Sequence, residues 1–170
     1  SAASDVYKRQ GQVGYTYEEA KLLVKELVKH ELDYIHLSLL AGYASKPTGS
    51  DKTYADHFKE VMDEQTKLIT IGGVFSQEDA EAAIEDTAAD LVAIGRGTLI
   101  DPLFGYKVQT GRGAEIVHEI SPEQLKNSQL TPGLLEVFSR KDSGGLPPLP
   151  GHDTITHLHT GKFGDEGQQE

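Results

Sequence analysis

Apolar positions recur along the chain in two alternating periods, and that alternation sets the expected fold. Thr16 and Glu19 form a capping box, and Ala20, Leu23, Val24 and Leu27 follow at helical spacing opposite Lys21, Lys25, Glu26 and Lys29, which predicts an amphipathic helix of about four turns. The segment 32–39 (LDYIHLSL) is short, apolar and aromatic, and reads as a buried strand. A loop rich in Gly, Pro, Ser and Thr follows over 42–52, and helical spacing returns over 54–65 through Ala55, Phe58, Val61 and Met62. Residues 67–71 (KLITI) predict a second strand, stopped by Gly72-Gly73. Ser76 with Asp79 opens another helix through Ala80, Ala83 and Ile84, and 90–94 (DLVAI) predicts a third strand, stopped by Gly95. Asp101-Pro102 announces one more helix, with Asp101 as its N-cap and Pro102 as its first residue.

Helix and strand in alternation are βαβ units, so the fold class is α/β with parallel strands and right-handed crossovers. Beyond Gly113 the periodicity weakens. Residues 115–120 and the stretch opened by Ser121-Pro122 read as short helices, 134–138 is apolar, and 144–151 (GGLPPLPG), with its three prolines, is a stiff irregular segment. Residues 152–170 have little to bury and are expected to be disordered. The opening run SAASDVYKRQ shows neither period and looks like the in-frame translation of a transposon-end adapter used in sequencing libraries. It is set aside as an artefact, and the join implies a natural chain that extends further on the N-terminal side.

Composition narrows the function classes. At 170 residues the chain has room for one ordinary domain. Asp and Glu number 27 against 16 Lys and Arg, a net charge of −11 that is poorly matched to a phosphodiester backbone, so nucleic acid is not an expected partner. Cysteine is absent, which removes disulfide scaffolds, thiolate zinc sites and thiol nucleophiles together. No apolar stretch approaches the roughly 18 residues of a membrane span. The expectation is a soluble, cytoplasmic protein acting on a small molecule, with no membrane partner.

Two strand ends share one design. Gly72-Gly73 follows LITI and Gly95-Arg96-Gly97 follows LVAI, each just before a helix. Glycine at the end of a parallel strand lets the main chain approach a ligand, and the helix N-terminus beyond it offers N–H groups and partial positive charge. Arg96 adds a planar, permanently charged fork that matches a phosphate bidentately. In (β/α)8 barrels the phosphate site commonly lies on the loops after strands seven and eight. On this reading the two turns belong to the last two strands of such a barrel.

The run IGGVFSQEDAEAAIEDTAADLVAIGRGTLIDPLF (71–104), preceded by GYTYEEA and LDYIHLS, resembles the C-terminal half of the NADH:flavin oxidoreductases of the old yellow enzyme family, over roughly three fifths of the chain. The resemblance implies the C-terminal part of a (β/α)8 TIM barrel, about strands six to eight. It also implies FMN as cofactor, NADH or NADPH as reductant, and an activated alkene, a related acceptor or oxygen as the destination of the hydride. Family FMN-phosphate positions fall on Gly72 and Gly73 in the first turn and on Gly95 and Arg96 in the second. The family's catalytic and ring-contacting residues lie on earlier strands, so no catalytic residue is assigned. The resulting organisation is 1–10 adapter, 11–112 barrel half, 113–151 C-terminal extension and 152–170 tail, with a homo-oligomer possible for the full-length protein. The phosphate turn is also similar to that of tRNA-dihydrouridine synthases, which the acidic charge disfavours. A flavin-free sugar-phosphate barrel and an inactive fragment remain open alternatives.

Several polar residues have simpler readings. His36 reads as a structurally hydrogen-bonded histidine; the alternative turns it, with Ser38, toward the barrel axis near the flavin. His152, His157 and His159 cluster, but no carboxylate or thiolate stands at a ligand spacing, so no metal site is assigned. Asp33 and Asp90 open matching strands and are expected to cap or pair there.

Overall fold

The computed structural model describes residues 16–39 and 41–162; the adapter-like run 1–10 and the end of the tail, 163–170, lie outside the described residues. Two compact units divide between Gly95 and Arg96. That boundary falls upstream of Gly113, where the sequence reading begins the extension.

In the first unit, α1 (Tyr17–Leu27) starts where the sequence places it. The Thr16 side chain accepts from the Glu19 N–H, and the Glu19 carboxylate accepts from the Thr16 N–H at 2.6 Å. Ala20 and Val24 are buried, whereas Leu23, expected on the same apolar face, is 43% exposed. The first strand, β1 (Tyr34–His36), is shorter than the predicted 32–39, although Leu37 extends the pairing through its N–H to the Ile69 carbonyl at 2.9 Å. The next helix, α2 (Tyr54–Lys59), is capped by Thr53 and Asp56 and ends well before residue 65. Asp63 accounts for the early stop. Its Oδ1 accepts from the Gln65 and Thr66 N–H groups, a local turn that replaces helical bonds and delivers the chain into β2 (Lys67–Ile71). Ser76 and Asp79 cap α3 (Gln77–Glu85), and β3 (Leu91–Ala93) follows.

The three strands form one parallel sheet in the order β1-β2-β3, with Ile35 opposite Leu68 and Ile71 opposite Ala93. Side chains alternate across the pleat. Ile35, Leu37 and Leu68 therefore join Ala20, Val24, Ala55 and Phe58 in the core cluster, which seals one face with α1 and α2. The opposite face carries Tyr34, His36, Ile69, Ile71, Leu91 and Ala93. It is only partly covered, with Tyr34 47% and Leu91 50% exposed. Asp90 fulfils its expected pairing: Oδ2 accepts from the Lys59 ammonium at 2.5 Å and the Leu68 N–H at 2.8 Å. Burial works against that charge, but these two bonds hold the carboxyl below its usual range. For Asp33 the contact is through the backbone, its carbonyl accepting from the Lys67 N–H.

The second unit contains α4 (Arg96–Ile100), α5 (Phe104–Gln109) and α6 (Pro132–Ser139), with 3-10 turns at Gly113–Glu115 and Gln124–Lys126 between α5 and α6. Asp101 departs from its predicted role. It does not cap a helix at Pro102, because α5 starts two residues later with Leu103 at the N-cap. Asp101 is instead a buried hub, 3% exposed, whose carboxylate accepts from the Leu103 N–H, the Val117 N–H and the Lys107 ammonium at 2.6 Å. Lys107 also donates to the Glu115 carbonyl, so this pair fixes the chain beyond Gly113.

The tail likewise differs from expectation over 152–162. Two 3-10 turns, His152–Thr154 and Thr156–Leu158, bury Ile155 completely. Buried Glu136 on α6 accepts from the Thr160 N–H and hydroxyl and lies 2.9 Å from Nδ1 of His159. A carboxylate placed to receive the chain end supplies order that hydrophobic pattern does not reveal.

Candidate functional site

Parallel pairing places the two glycine turns side by side. Ile71 and Ala93 are register partners, so Gly72-Gly73 and Ile94-Gly95 leave the same end of neighbouring strands, which run about 4.8 Å apart. The two glycines of the first turn have different tasks. Gly72 has φ +106°, and a Cβ there would stand 2.7 Å from the Leu39 carbonyl oxygen and 2.9 Å from Gly42 Cα. Its carbonyl accepts from the Tyr43 N–H at 3.0 Å. Gly72 therefore serves a close backbone packing of the loops after β1 and β2. Gly73, with φ +76°, is exposed, and the nearest atom to a Cβ there would be Gly42 Cα at 3.9 Å. This is the glycine whose main chain stands open to a ligand. Gly42, at φ +97°, is the residue that sequence reading missed, because in the sequence it is only the first residue of a loop of Gly, Pro, Ser and Thr.

The helix behind this turn is less receptive than predicted. Asp79 Oδ2 accepts from the Phe75 and Ser76 N–H groups, both at 2.9 Å, and the Asp79 N–H is taken by Ser76 Oγ. The capping box spends these donors on a carboxylate of the chain itself, so they are not offered to an anion. Nearby Tyr43 has its hydroxyl pKa pushed up by burial and by the charges of Asp79 and Asp86.

At the second turn Gly95 is exposed, with nothing within 4 Å of a Cβ, and stands immediately before α4. Arg96 is the first residue of that helix and is partly buried. Its Nη1 donates to the Pro148 carbonyl at 2.8 Å, a contact with the proline-rich segment that sequence reasoning did not find. A guanidinium carries five N–H donors.

On the open sheet face, His36 has a buried Nε2 without a hydrogen-bond partner among the described residues, so the structural bond expected for it is not made there. Ser38 is exposed. The histidines of the tail part company: His152 Nε2 lies 2.7 Å from the Arg140 carbonyl, His159 faces Glu136, and His157 is exposed. No cluster of three or more metal-ligating side chains occurs among the described residues, and none of their helices is long and apolar enough to cross a membrane.

A parallel α/β sheet whose neighbouring strand ends carry exposed glycine turns is compatible with an anion-binding class of site. Comparison with known proteins makes the class specific. A profile of the NADH:flavin oxidoreductase / NADH oxidase family matches residues 1–115, and the chain belongs to that family. It is 38% identical over 105 residues to a probable NADH-dependent flavin oxidoreductase of Bacillus subtilis, covering 61% of this chain and 28% of that protein. An NADH oxidase of Thermoanaerobacter brockii is 35% identical over 113 residues, 61% of this chain and 17% of the oxidase. An NADH:acrylate oxidoreductase of Vibrio harveyi is 28% identical over 102 residues, 56% of this chain and 10% of that protein. The chain thus spans between about a tenth and three tenths of the length of these relatives.

The residues present fit FMN, the cofactor of the family. Exposed glycines at the ends of β2 and β3 leave room for a phosphate to approach the main chain, and the orphaned Nε2 of His36 leaves a buried polar atom on the open sheet face.

Proposed function

We propose that this chain is the phosphate-anchoring part of an FMN-dependent oxidoreductase of the old yellow enzyme type, which takes hydride from NADH or NADPH and delivers it to an activated alkene or a related acceptor. Its three parallel strands stand for strands six to eight of a (β/α)8 barrel. Gly73, Gly95 and Arg96 are its cofactor-binding residues, with Gly72 shaping the first turn behind Gly73, and the catalytic residues belong to the earlier strands of the barrel. The carrying observation is the register of Ile71 with Ala93, which sets two glycine turns at one end of adjacent strands. Family membership and the names of the relatives support the same reading.

When bound, the flavin supplies the redox chemistry, and the protein supplies anchoring and orientation. Gly73 and Gly95 let the main chain close on the phosphate without a side chain intervening. Arg96 neutralises its charge with a planar fork, and Gly72 fixes the first turn by packing on Gly42. The deciding experiment replaces Arg96 by Ala and measures FMN retention. The substitution weakens binding by about 1.5–3 kcal/mol, the scale of hydrogen bonds to charged groups. Unchanged flavin occupancy overturns the assignment.

A further inference from the structure

We propose that the proline-rich segment 146–151 is a positioning strap for Arg96, fixing its guanidinium through the Pro148 carbonyl so that the fork is set before a phosphate arrives. This rests on the reading of Arg96 as a phosphate ligand and goes beyond it, since it gives the C-terminal extension a part in holding that arginine. The Nη1 to Pro148 carbonyl bond of 2.8 Å is the observation that starts it. A carbonyl can restrain an arginine only if the carbonyl is itself held, and this one is.

Pro147 and Pro148 have fixed φ and no N–H, so the backbone leading to the carbonyl is stiff. On the far side, Leu149 is 2% exposed, and the Pro150 carbonyl accepts from the Ile120 N–H at 2.8 Å. Gly151 has φ +78°, and a Cβ there would collide with the Ile120 carbonyl oxygen. His152 Nε2 completes the anchorage at the Arg140 carbonyl. Two exposed prolines carry no packing of their own; their stiffness acts on what the Pro148 carbonyl holds. An arginine held in this way loses less rotamer freedom when its ligand binds.

The test titrates the chain with FMN and with riboflavin, which lacks the phosphate, following flavin fluorescence. Replacing Pro147 and Pro148 together by Gly frees the strap without touching the core, and Gly151→Ala displaces it from the other side. Each weakens FMN binding by about threefold to tenfold, the range of one hydrogen bond, and leaves riboflavin binding unchanged. In an Arg96→Ala background the two-proline change has no further effect, as a double-mutant cycle requires for coupled residues. The strap proposal is overturned if FMN and riboflavin affinities fall together, or if the loss persists without Arg96. If Arg96→Ala by itself leaves the preference for FMN over riboflavin intact, it is the phosphate assignment that fails.

Discussion

Each unit of the chain buries apolar side chains, but the two differ in what else holds them. Up to Gly95, order comes from a repeating pattern: a parallel ladder, helices capped by Thr16, Thr53 and Ser76, and one apolar cluster centred on Phe58 and Leu68. From Arg96 onward the described residues contain no strand; Ile100, Phe104, Ile120, Phe138, Leu149 and Ile155 are buried, and polar groups tie distant segments as well. Gln124 donates to the Ile100 carbonyl, Thr154 to Ile120 and Thr160 to Glu136, while Asp101 collects Leu103, Lys107 and Val117. A ladder loses little from any single side chain outside its core, whereas a unit tied by individual bonds depends on each buried polar group. The lesson is that apolar truncation should destabilise both regions, whereas removal of a buried charge should matter most in the one without a ladder.

The largest effect breaks the ladder region at its centre. Phe58 is fully buried, and Phe58→Ala costs about 3–5 kcal/mol through lost transfer energy and the cavity left behind, read as a lower denaturant midpoint.

Next is the hub of the second region. Asp101→Ala leaves the Lys107 ammonium and two main-chain N–H groups without their acceptor, at a cost of about 3 kcal/mol. Its pH dependence has a definite sign. Burial tends to raise the Asp101 pKa, but the Lys107, Val117 and Leu103 bonds outweigh it and hold the value below the ordinary carboxylate range. A depressed folded pKa means that the stabilisation is complete above the unfolded value of about 3.9 and disappears as pH falls through the folded one. Acid titration of the unfolding midpoint therefore shows a smaller drop in Asp101→Ala than in the parent chain. An equal drop in both removes Asp101 from the account of acid sensitivity.

The smallest effect lies at a helix end. Thr16→Ala removes one cap from α1 and costs about 1 kcal/mol, with the loss of helicity confined to the first turn. Circular dichroism with the unfolding midpoint distinguishes this from a core defect.

The same contrast explains what could be read from the sequence. The α/β class, the order of helices and strands through β3, and the caps at Thr16–Glu19 and Ser76–Asp79 were legible, because each rests on periodicity or on residues three apart; the third box, Thr53 with Asp56, was passed over. The placement of the glycine pair and Gly95 at the ends of neighbouring strands was legible because both follow an apolar strand. Shorter strands and the early end of α2 were not, since Asp63 competes with the helix through a local turn. Neither were the ordered tail and the Asp101 hub. They depend on partners many residues away, such as Glu136 with Thr160, and no period in the sequence announces them. At the site itself, Gly72 was read as facing a ligand, although its lack of a side chain is needed by Leu39 and Gly42. Asp79 occupies donors that an anion would have used.

The central claim is that the glycine turns receive the phosphate end of a flavin. It is tested most directly by recording amide nitrogen–proton spectra of the isotope-labelled chain during titration with FMN and, separately, with riboflavin. The account predicts that FMN moves the Gly73, Gly95 and Arg96 amide signals and that riboflavin leaves them in place. Amide signals that stay fixed with FMN, or that move equally with both flavins, would contradict it.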